Sequence, residues 1–329
     1  MSAAVLEIRN RSSRILDLAA DSALSFIVAV HIVAALVLAA TLMFATPAGA
    51  TEDPTCGAKD LVAELQVKNP AEYAKLIAEG DKIKNSRARF WKLEKSGQKP
   101  NWLLGTIHLS DPRVTNLPHE SKAAYDASST VILESDEVLD QQKAAAKLMM
   151  TPDLMYFSGK DTLIDYLKPE QQTILETTLI KRGIPFHSIV KMKPYLISSM
   201  VSLSTCELSR KAHGAPFLDM KLAQDGIATG KQVKGVETMQ EQLEAMASLP
   251  MSFHVKSLVS SVEYPEYTAD MMETTVQLYL RDQIGVVFPA STYFAPTTDA
   301  EDFKDIALFE ERMITQRNHT MVDRAEPML

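Results

Sequence analysis

Three short, strand-like runs of the sequence each end in a side chain that can bind a metal or transfer a proton. These side chains are His108, Glu134 and Glu237. In open α/β sheets the crevice beyond the carboxyl ends of the strands is the usual place for a ligand, so we expect the three groups to converge there. Imidazole together with carboxylates suits manganese, cobalt, zinc or iron better than calcium or magnesium. The pattern therefore predicts a divalent metal centre built from these three residues.

Each of these residues also has a structural interpretation. A carboxylate after a strand often caps the next helix, which fits Glu134 beside Ser135 and fits Glu237 beside Thr238. A single histidine at a strand end, such as His108, is often structural as well. Both interpretations stay open from the sequence alone.

The surroundings of His108 contain one further signal. Gly105 lies three residues earlier, where the missing side chain would let another strand, a helix or a ligand approach the backbone. The other histidines lack the spacing of metal ligands: His31, His119, His187, His213, His254 and His319. The sequence contains no His-Glu-x-x-His motif, no paired-cysteine motif and no Gly-x-Ser-x-Gly motif, so it does not carry the common zinc-protease or serine-hydrolase signatures.

The spacing of apolar residues predicts several helices that would hold these side chains in place. Two short helices are expected between residues 60 and 82, interrupted at Pro70. Thr238 and Glu241 have the spacing of a capping box, which predicts that a helix begins there. Residues 140–211 are mostly helical in pattern, with several prolines and a glycine as breaks, and we interpret them as an inserted helical lobe.

Four short runs have the composition of strands. They are residues 90–93, 102–108, 131–134 and 232–237. The first two flank a polar turn and indicate a hairpin, whereas the last two alternate with helical patterns. We therefore predict an α/β fold with a central mixed sheet surrounded by helices and a helical insertion.

The amino-acid composition and net charge exclude some classes of binding partner. The chain has 329 residues, 46% of them hydrophobic, which is enough for one large domain. Lys and Arg number 34 against 42 Asp and Glu, giving a net charge of -8, and there is no basic run. This balance argues against nucleic acid as a partner.

The first fifty residues have the layout of a targeting segment. Three arginines, at positions 9, 11 and 14, precede an uncharged stretch at 23–44, and Ala48-Gly49-Ala50 follows. We predict that residues 1–50 are a signal peptide cleaved after Ala50, or a membrane anchor, because about 20 apolar residues can span a bilayer. Either way residues 51–329 would be exported, in the periplasm or anchored facing it, with membrane contact only through the N-terminal segment.

Both cysteines of the chain fall in the part that we expect to be exported. Thiols in such compartments are usually oxidised, so a disulfide between Cys56 and Cys206 is predicted. Two free, buried thiols are the alternative.

Several stretches of the sequence, in this order, resemble motifs of one protein family. Residues 102–113, with Gly105 and His108, resemble a first Gly-x-x-His motif, and residues 131–134 resemble a strand that ends in glutamate; both are motifs of the TraB/PrgY/GumN family, which includes Tiki-like metalloproteases. Further matching stretches are Phe217-Leu218-Asp219, residues 230–238 with Gln242, and residues 311–318 with Met321. Cys56 and Cys206 also match cysteines of exported bacterial members.

The resemblance implies a domain over residues 51–329 with a metal-dependent hydrolytic centre. It makes His108 a ligand or base, Glu134 and Glu237 ligands or acid/base groups, and Arg317 a buried organiser or oxyanion partner, with Asn318 structural beside it. In relatives a second Gly-x-x-His motif follows the Arg-Asn helix, whereas this sequence ends at Leu329. The domain is therefore expected to be C-terminally incomplete, which puts activity in doubt.

Two functions follow from this resemblance. The first is an exported, metal-dependent hydrolase of the metalloprotease type, acting on a peptide or another small substrate and using manganese, cobalt, zinc or iron. The alternative is a catalytically inactive exported member with a binding role, or one associated with the envelope or exopolysaccharide.

Overall fold

A computed structural model describes residues 55–296 and 300–329 of the chain. The predicted signal or anchor segment, residues 1–50, lies outside the described residues. The helices are α1 (Leu61–Lys68), α2 (Pro70–Asp81), α3 (Pro112–Thr115), α4 (His119–Ala127), α5 (Gln141–Leu148), α6 (Pro169–Lys181), α7 (Pro194–Val201), α8 (Thr205–Ala212), α9 (Leu218–Ala228), α10 (Met239–Ala247), α11 (Met251–Glu263), α12 (Pro265–Leu280), α13 (Val287–Phe294), α14 (Ala300–Phe309) and α15 (Gln316–Ala325). A π-helical segment, Glu310–Thr315, joins α14 to α15. None of the helices within the described ranges is long and apolar enough to cross a membrane.

The strands form two small sheets, one antiparallel and the other parallel. They are β1 (Phe90–Leu93), β2 (Asn101–Leu104), β3 (Thr130–Leu133) and β4 (Gln232–Gly235). Strands β1 and β2 are antiparallel, as the predicted hairpin requires, with Phe90 opposite Leu104. Strands β3 and β4 are parallel, with Leu133 opposite Gly235. The predicted α/β class is confirmed, with helices around the two small sheets.

Strand β2 is shorter than the predicted run and ends four residues before His108. Beyond Leu104 the chain leaves the ladder because its polar groups bind partners from other elements. Gly105 N donates to the carbonyl of Arg89 (2.7 Å), and Tyr279 Oη donates to the carbonyl of Gly105 (2.9 Å). His108 consequently lies on a loop, where its side chain is free to turn toward α9.

Local capping residues begin the helices where the sequence predicts them. Asn69 ends α1 and its side chain accepts a hydrogen bond from the amide of Glu72 in α2, with Pro70 at the first helical position. At the start of α10, Thr238 Oγ1 accepts from Glu241 N (3.2 Å) and Glu241 Oε2 accepts from Thr238 N (2.8 Å). The predicted capping box is therefore present.

Buried apolar side chains form separate clusters. One cluster joins helices of the predicted lobe at 140–211 to α11, and it includes Leu163, Leu175, Leu179, Ile197 and Leu258. A second cluster packs α1 and α2 against α12, and a third, with Val114, Leu218 and Val276, lies below the His108 loop. The predicted disulfide is confirmed, because Cys56 and Cys206 are bonded with their Cα atoms 5.9 Å apart. This bond closes a sequence separation of 150 residues and ties the start of the described chain to α8.

Candidate hydrolytic site

The imidazole of His108 is oriented by a carboxylate of helix α9. His108 Nδ1 lies 3.0 Å from Asp219 Oδ2, and Asp219 Oδ1 accepts from Thr106 Oγ1 at 2.9 Å. Asp219 is buried in the first turn of α9, where the helix dipole favours a negative charge. The ring of Phe217 meets the imidazole edge-on, with centroids 5.3 Å apart. With Nδ1 held by Asp219, Nε2 is the nitrogen that faces the rest of the site.

Glu134 follows β3 directly and reaches the same space. Its Oε2 lies 3.9 Å from His108 Nε2, which is too far for a direct hydrogen bond. The same oxygen accepts from Gln242 Nε2 at 3.5 Å and from Arg317 Nη2 at 3.2 Å. His108 and Glu134 therefore face each other across a short gap.

Arg317 of α15 joins the two glutamates. Its Nε and Nη2 donate to Oε1 and Oε2 of Glu237 at 2.9 and 2.7 Å, a two-bond pairing that fixes both groups. Nη1 donates to the carbonyl of Met313 at 3.0 Å, inside the π-helical segment just before α15. Glu237 follows β4 and is 8% exposed, so this ion pair is largely shielded from solvent. Arg317 thus links Glu134 to Glu237, and its role as an organiser of the site stays a prediction.

The charged side chains of the site shift one another's pKa values. The hydrogen bond with Asp219, and then the Glu134 carboxylate, raises the pKa of His108 to about 10. The imidazole side chain is 58% exposed, so water screens part of this attraction. His108, and then Arg317, lowers the pKa of Glu134, while Glu237 raises the pKa of Arg317. Glu134 is therefore ionised at neutral pH.

The donor set fits a metal ion in part. Nε2 of His108 and the carboxylate of Glu134 are two donors that face one space, and the hydrogen bond from Nδ1 to a carboxylate is typical of metal-binding histidines. Both oxygens of Glu237 accept hydrogen bonds from Arg317 instead. Within residues 55–296 and 300–329, no group of three or more His, Cys, Asp or Glu side chains is arranged to hold a metal ion. The ligand roles of His108, Glu134 and Glu237 stay predictions.

Two further residues lie around this cluster. At Gly105 an added Cβ would make ordinary contact with the Arg89 carbonyl at 3.6 Å, so the closest approach to its backbone comes from Arg89. Asn318 is exposed on α15, next to Arg317. The structural roles of Gly105 and Asn318 near the site stay predictions.

Asp219 and Gln242 are the site residues to which the sequence analysis assigned no role. Asp219 is 111 positions away from His108, and Gln242 is 108 positions away from Glu134. No local pattern connects such distant residues. The one signal that could have identified Asp219 is chemical, because a functional histidine needs a partner for its second nitrogen and Asp219 opens a helix in a stretch already matched to the family.

Comparison with known proteins finds one matching family and several similar sequences. A sequence model of the TraB/PrgY/gumN family matches residues 89–329. Metalloprotease TIKI2 of Danio rerio is 29% identical over 174 residues, covering 46% of this chain and 33% of the relative. Metalloprotease TIKI1 of Danio rerio is 30% identical over 179 residues (46% and 35%), and that of Xenopus tropicalis is 24% identical over 204 residues (53% and 40%). The chain thus spans about a third of the length of these relatives. No solved structure matches it significantly.

Proposed function

The chain belongs to the TraB/PrgY/gumN family, and on this premise we propose that it is a metalloprotease-like hydrolase that cleaves amide bonds of peptides. The observation that carries the proposal is the facing pair of His108 Nε2 and Glu134 Oε2, 3.9 Å apart, with His108 Nδ1 held by Asp219. Relatives that carry the name metalloprotease support the reaction class.

The side chains of the pair would divide the work of hydrolysis between them. Glu134 is ionised and partly exposed, so its carboxylate can accept a proton from a water molecule that enters the gap. His108 Nε2 faces the same gap and would contact the carbonyl oxygen of the substrate. Arg317 holds Glu134 and Glu237 in place, which keeps the base oriented. The water oxygen would add to the amide carbon, and the proton would pass to the leaving amine.

A divalent metal would be held by the same two side chains, with His108 bound through an unprotonated Nε2 in place of its contact with the substrate. His108 Nε2 and Glu134 would hold it, and we propose manganese, cobalt, zinc or iron because imidazole and carboxylate suit these ions. When bound, such an ion supplies Lewis acidity and lowers the pKa of water. Glu237 could join as a ligand only by leaving Arg317, since both of its oxygens are engaged.

Peptide hydrolysis measured with and without metal tests the proposal. We expect the purified protein to cleave a pool of fluorogenic peptides after loading with one of the four metals, and to lose this activity when the metal is removed by a chelator. Buffer loaded with each metal and no protein is the control. Absence of cleavage at every metal, with protein of native thermal stability, would contradict the hydrolase proposal.

The Arg317–Glu237 pair also favours a second candidate, a catalytically inactive family member with a binding role. An arginine that engages both oxygens of Glu237 stabilises the site but withdraws a predicted ligand. Such a protein would bind peptides without cleaving them. Fluorescence anisotropy of labelled peptides, followed by mass spectrometry of the same samples, separates binding from hydrolysis.

We also propose that the protein is exported to the periplasm, or anchored facing it. The bond between Cys56 and Cys206 supports an oxidising compartment. Cell fractionation with N-terminal sequencing of the mature protein tests this, and the expected N-terminus is residue 51. Recovery of the whole protein from the cytoplasm with both thiols free would contradict export.

A further inference from the structure

A buried charge cluster lies between the disulfide and the His108 loop. Arg113 donates through two nitrogens to Glu273 (2.8 and 2.7 Å) and also bonds Asp111. Arg210 lies 3.6 Å from Asp111 and 3.5 Å from Glu207. The three carboxylate side chains are at most 5% exposed. Paired charges of this kind hold their geometry only while water is kept out, because water weakens each attraction.

Glu207 connects this cluster to the loop that carries His108. Its Oε1 accepts a hydrogen bond from the backbone amide of Ser110 at 2.7 Å, and the residue is 2% exposed. Ser110 Oγ donates to the carbonyl of Ala215 at 2.9 Å. Ser110 is two residues after His108, so the loop is held at one end by Glu207 and at the other by Asp219, which binds both Thr106 and His108.

The disulfide holds a short segment over the cluster. Thr55, Cys56 and Ala58 line a cavity of about 20 Å³, together with side chains of the cluster. That volume is close to the space of a single water molecule. Cys56 has a φ of 57°, in the left-handed region that a cysteine rarely adopts, which requires an outside constraint. Its bonding partner, Cys206, is the residue before Glu207.

Other contacts would keep the rest of the fold in place without the disulfide. Lys59 N donates to Asp270 Oδ1 at 2.8 Å, and Leu61 N donates to Thr274 Oγ1 at 2.9 Å. Helix α1 then packs on α12 through buried side chains that include Val62 and Leu278. Breaking the sulfur–sulfur bond would therefore remove the covalent tie of the segment at 55–58 while α1 stays packed on α12. Both cysteines are half-buried, within reach of a small reductant.

We propose that Glu207 is a positioning residue for the His108 loop and that the Cys56–Cys206 disulfide keeps it in position. A dithiol reductant would give two electrons and two protons to the disulfide, leaving two thiols here and becoming a cyclic disulfide itself. Without its covalent tie the segment at 55–58 moves more, water reaches the charge cluster more often, and the hydrogen bond from Ser110 N to Glu207 opens more often. The protein thereby senses the redox state of its surroundings at the candidate site. The effect on hydrolysis rests on the proposed function, whereas the movement of the loop does not.

Amide hydrogen exchange, which requires no turnover, tests the coupling in the full chain. The oxidised protein is compared with protein reduced by a dithiol, with free thiols counted by mass. We expect the peptide containing Ser110 to exchange about tenfold faster or more after reduction, while peptides of α6 and α11, which lie outside the charge cluster, keep their rates. Unchanged exchange at Ser110 in fully reduced protein overturns the proposal, and so does faster exchange throughout the chain, since the disulfide would then be only a structural tie.

A matched pair of variants identifies the residue that carries the coupling. Glu207→Gln keeps the shape and an acceptor but loses the charge, so exchange at Ser110 should already be fast in the oxidised form and change little on reduction. Glu79→Gln, at an exposed glutamate of α2, should behave as the unmodified protein. If reduction accelerates exchange as strongly in Glu207→Gln as in the unmodified protein, Glu207 does not carry the signal. Should Glu207→Gln fail to fold, the comparison of oxidised and reduced protein still decides the proposal.

Discussion

Replacement of Arg317 by methionine is expected to lower the free energy of unfolding by about 3 to 5 kcal/mol. The guanidinium makes two hydrogen bonds to Glu237 and one to Glu134, and the Glu237 side chain is only 6% exposed. Methionine has similar length but leaves a buried carboxylate without its counter-charge, which is far costlier than the net gain from the intact pair. Urea unfolding measures the difference.

Two comparisons separate this explanation from a general effect of changing α15. Arg324→Met removes an arginine from the same helix whose pair with Glu241 is 41% and 36% exposed, so we expect a much smaller loss of stability than for Arg317→Met. In the double variant Arg317→Met with Glu237→Gln the uncompensated charge is gone, and we expect much of the lost stability to return. If Arg317→Met costs no more than Arg324→Met, the buried pair is not what stabilises this part of the fold.

The parts of this fold that the sequence predicted well are those that local signals specify. The capping box at Thr238, the break before Pro70 and the polar turn of the hairpin each depend on residues within a few positions of one another. Such signals predict the helices and strands, and so the α/β class, without knowledge of their neighbours. The disulfide was predictable for another reason, because only two cysteines exist.

The candidate site was predictable as a group of residues but not in its connections. The rule that ligands lie beyond the carboxyl ends of strands accounts for Glu134 and Glu237, which follow the parallel neighbours β3 and β4, whereas His108 reaches them from a loop. It gave no indication that Arg317 would engage both oxygens of Glu237, or that Asp219 would orient His108. These contacts link residues 80 and 111 positions apart, and sequence periodicity carries no information at that separation.

The end of β2 illustrates the same limit. Apolar composition predicted a strand that continues to His108. Composition cannot show which distant residues form hydrogen bonds with this segment and hold it as a loop. Tyr279 binds Gly105, Asp219 binds Thr106 and His108, and Glu207 binds Ser110. These partners come from helices that follow much later in the chain. Together they hold the segment more specifically than a longer ladder would, because each fixes a different side of it.

Replacement of His108 by alanine is expected to lower peptide hydrolysis by about 10²- to 10⁴-fold, the range that a positioned acid or base contributes. Asp219→Asn should lower it by about 10- to 100-fold, since partners of a functional histidine act indirectly. Asparagine keeps the size of the group, but its amide can donate to Nδ1 and so favour the wrong tautomer. The initial rate of cleavage of one fluorogenic peptide, at equal protein and metal concentration, measures both.

The control for this series is a histidine with no part in the site. His213→Ala removes an exposed imidazole. Within the described chain its Nδ1 forms a hydrogen bond with the carbonyl of Ser209, one turn earlier in α8, at 2.8 Å. Activity should therefore be unchanged. His254 is unsuitable, because it is 3% exposed and its loss would disturb the packing around α11. The order of the effects is the decisive result: His108→Ala largest, Asp219→Asn intermediate and His213→Ala none. Equal activity of His108→Ala and His213→Ala, with both proteins folded, would mean that hydrolysis occurs elsewhere and that Asp219 orients a histidine of purely structural use.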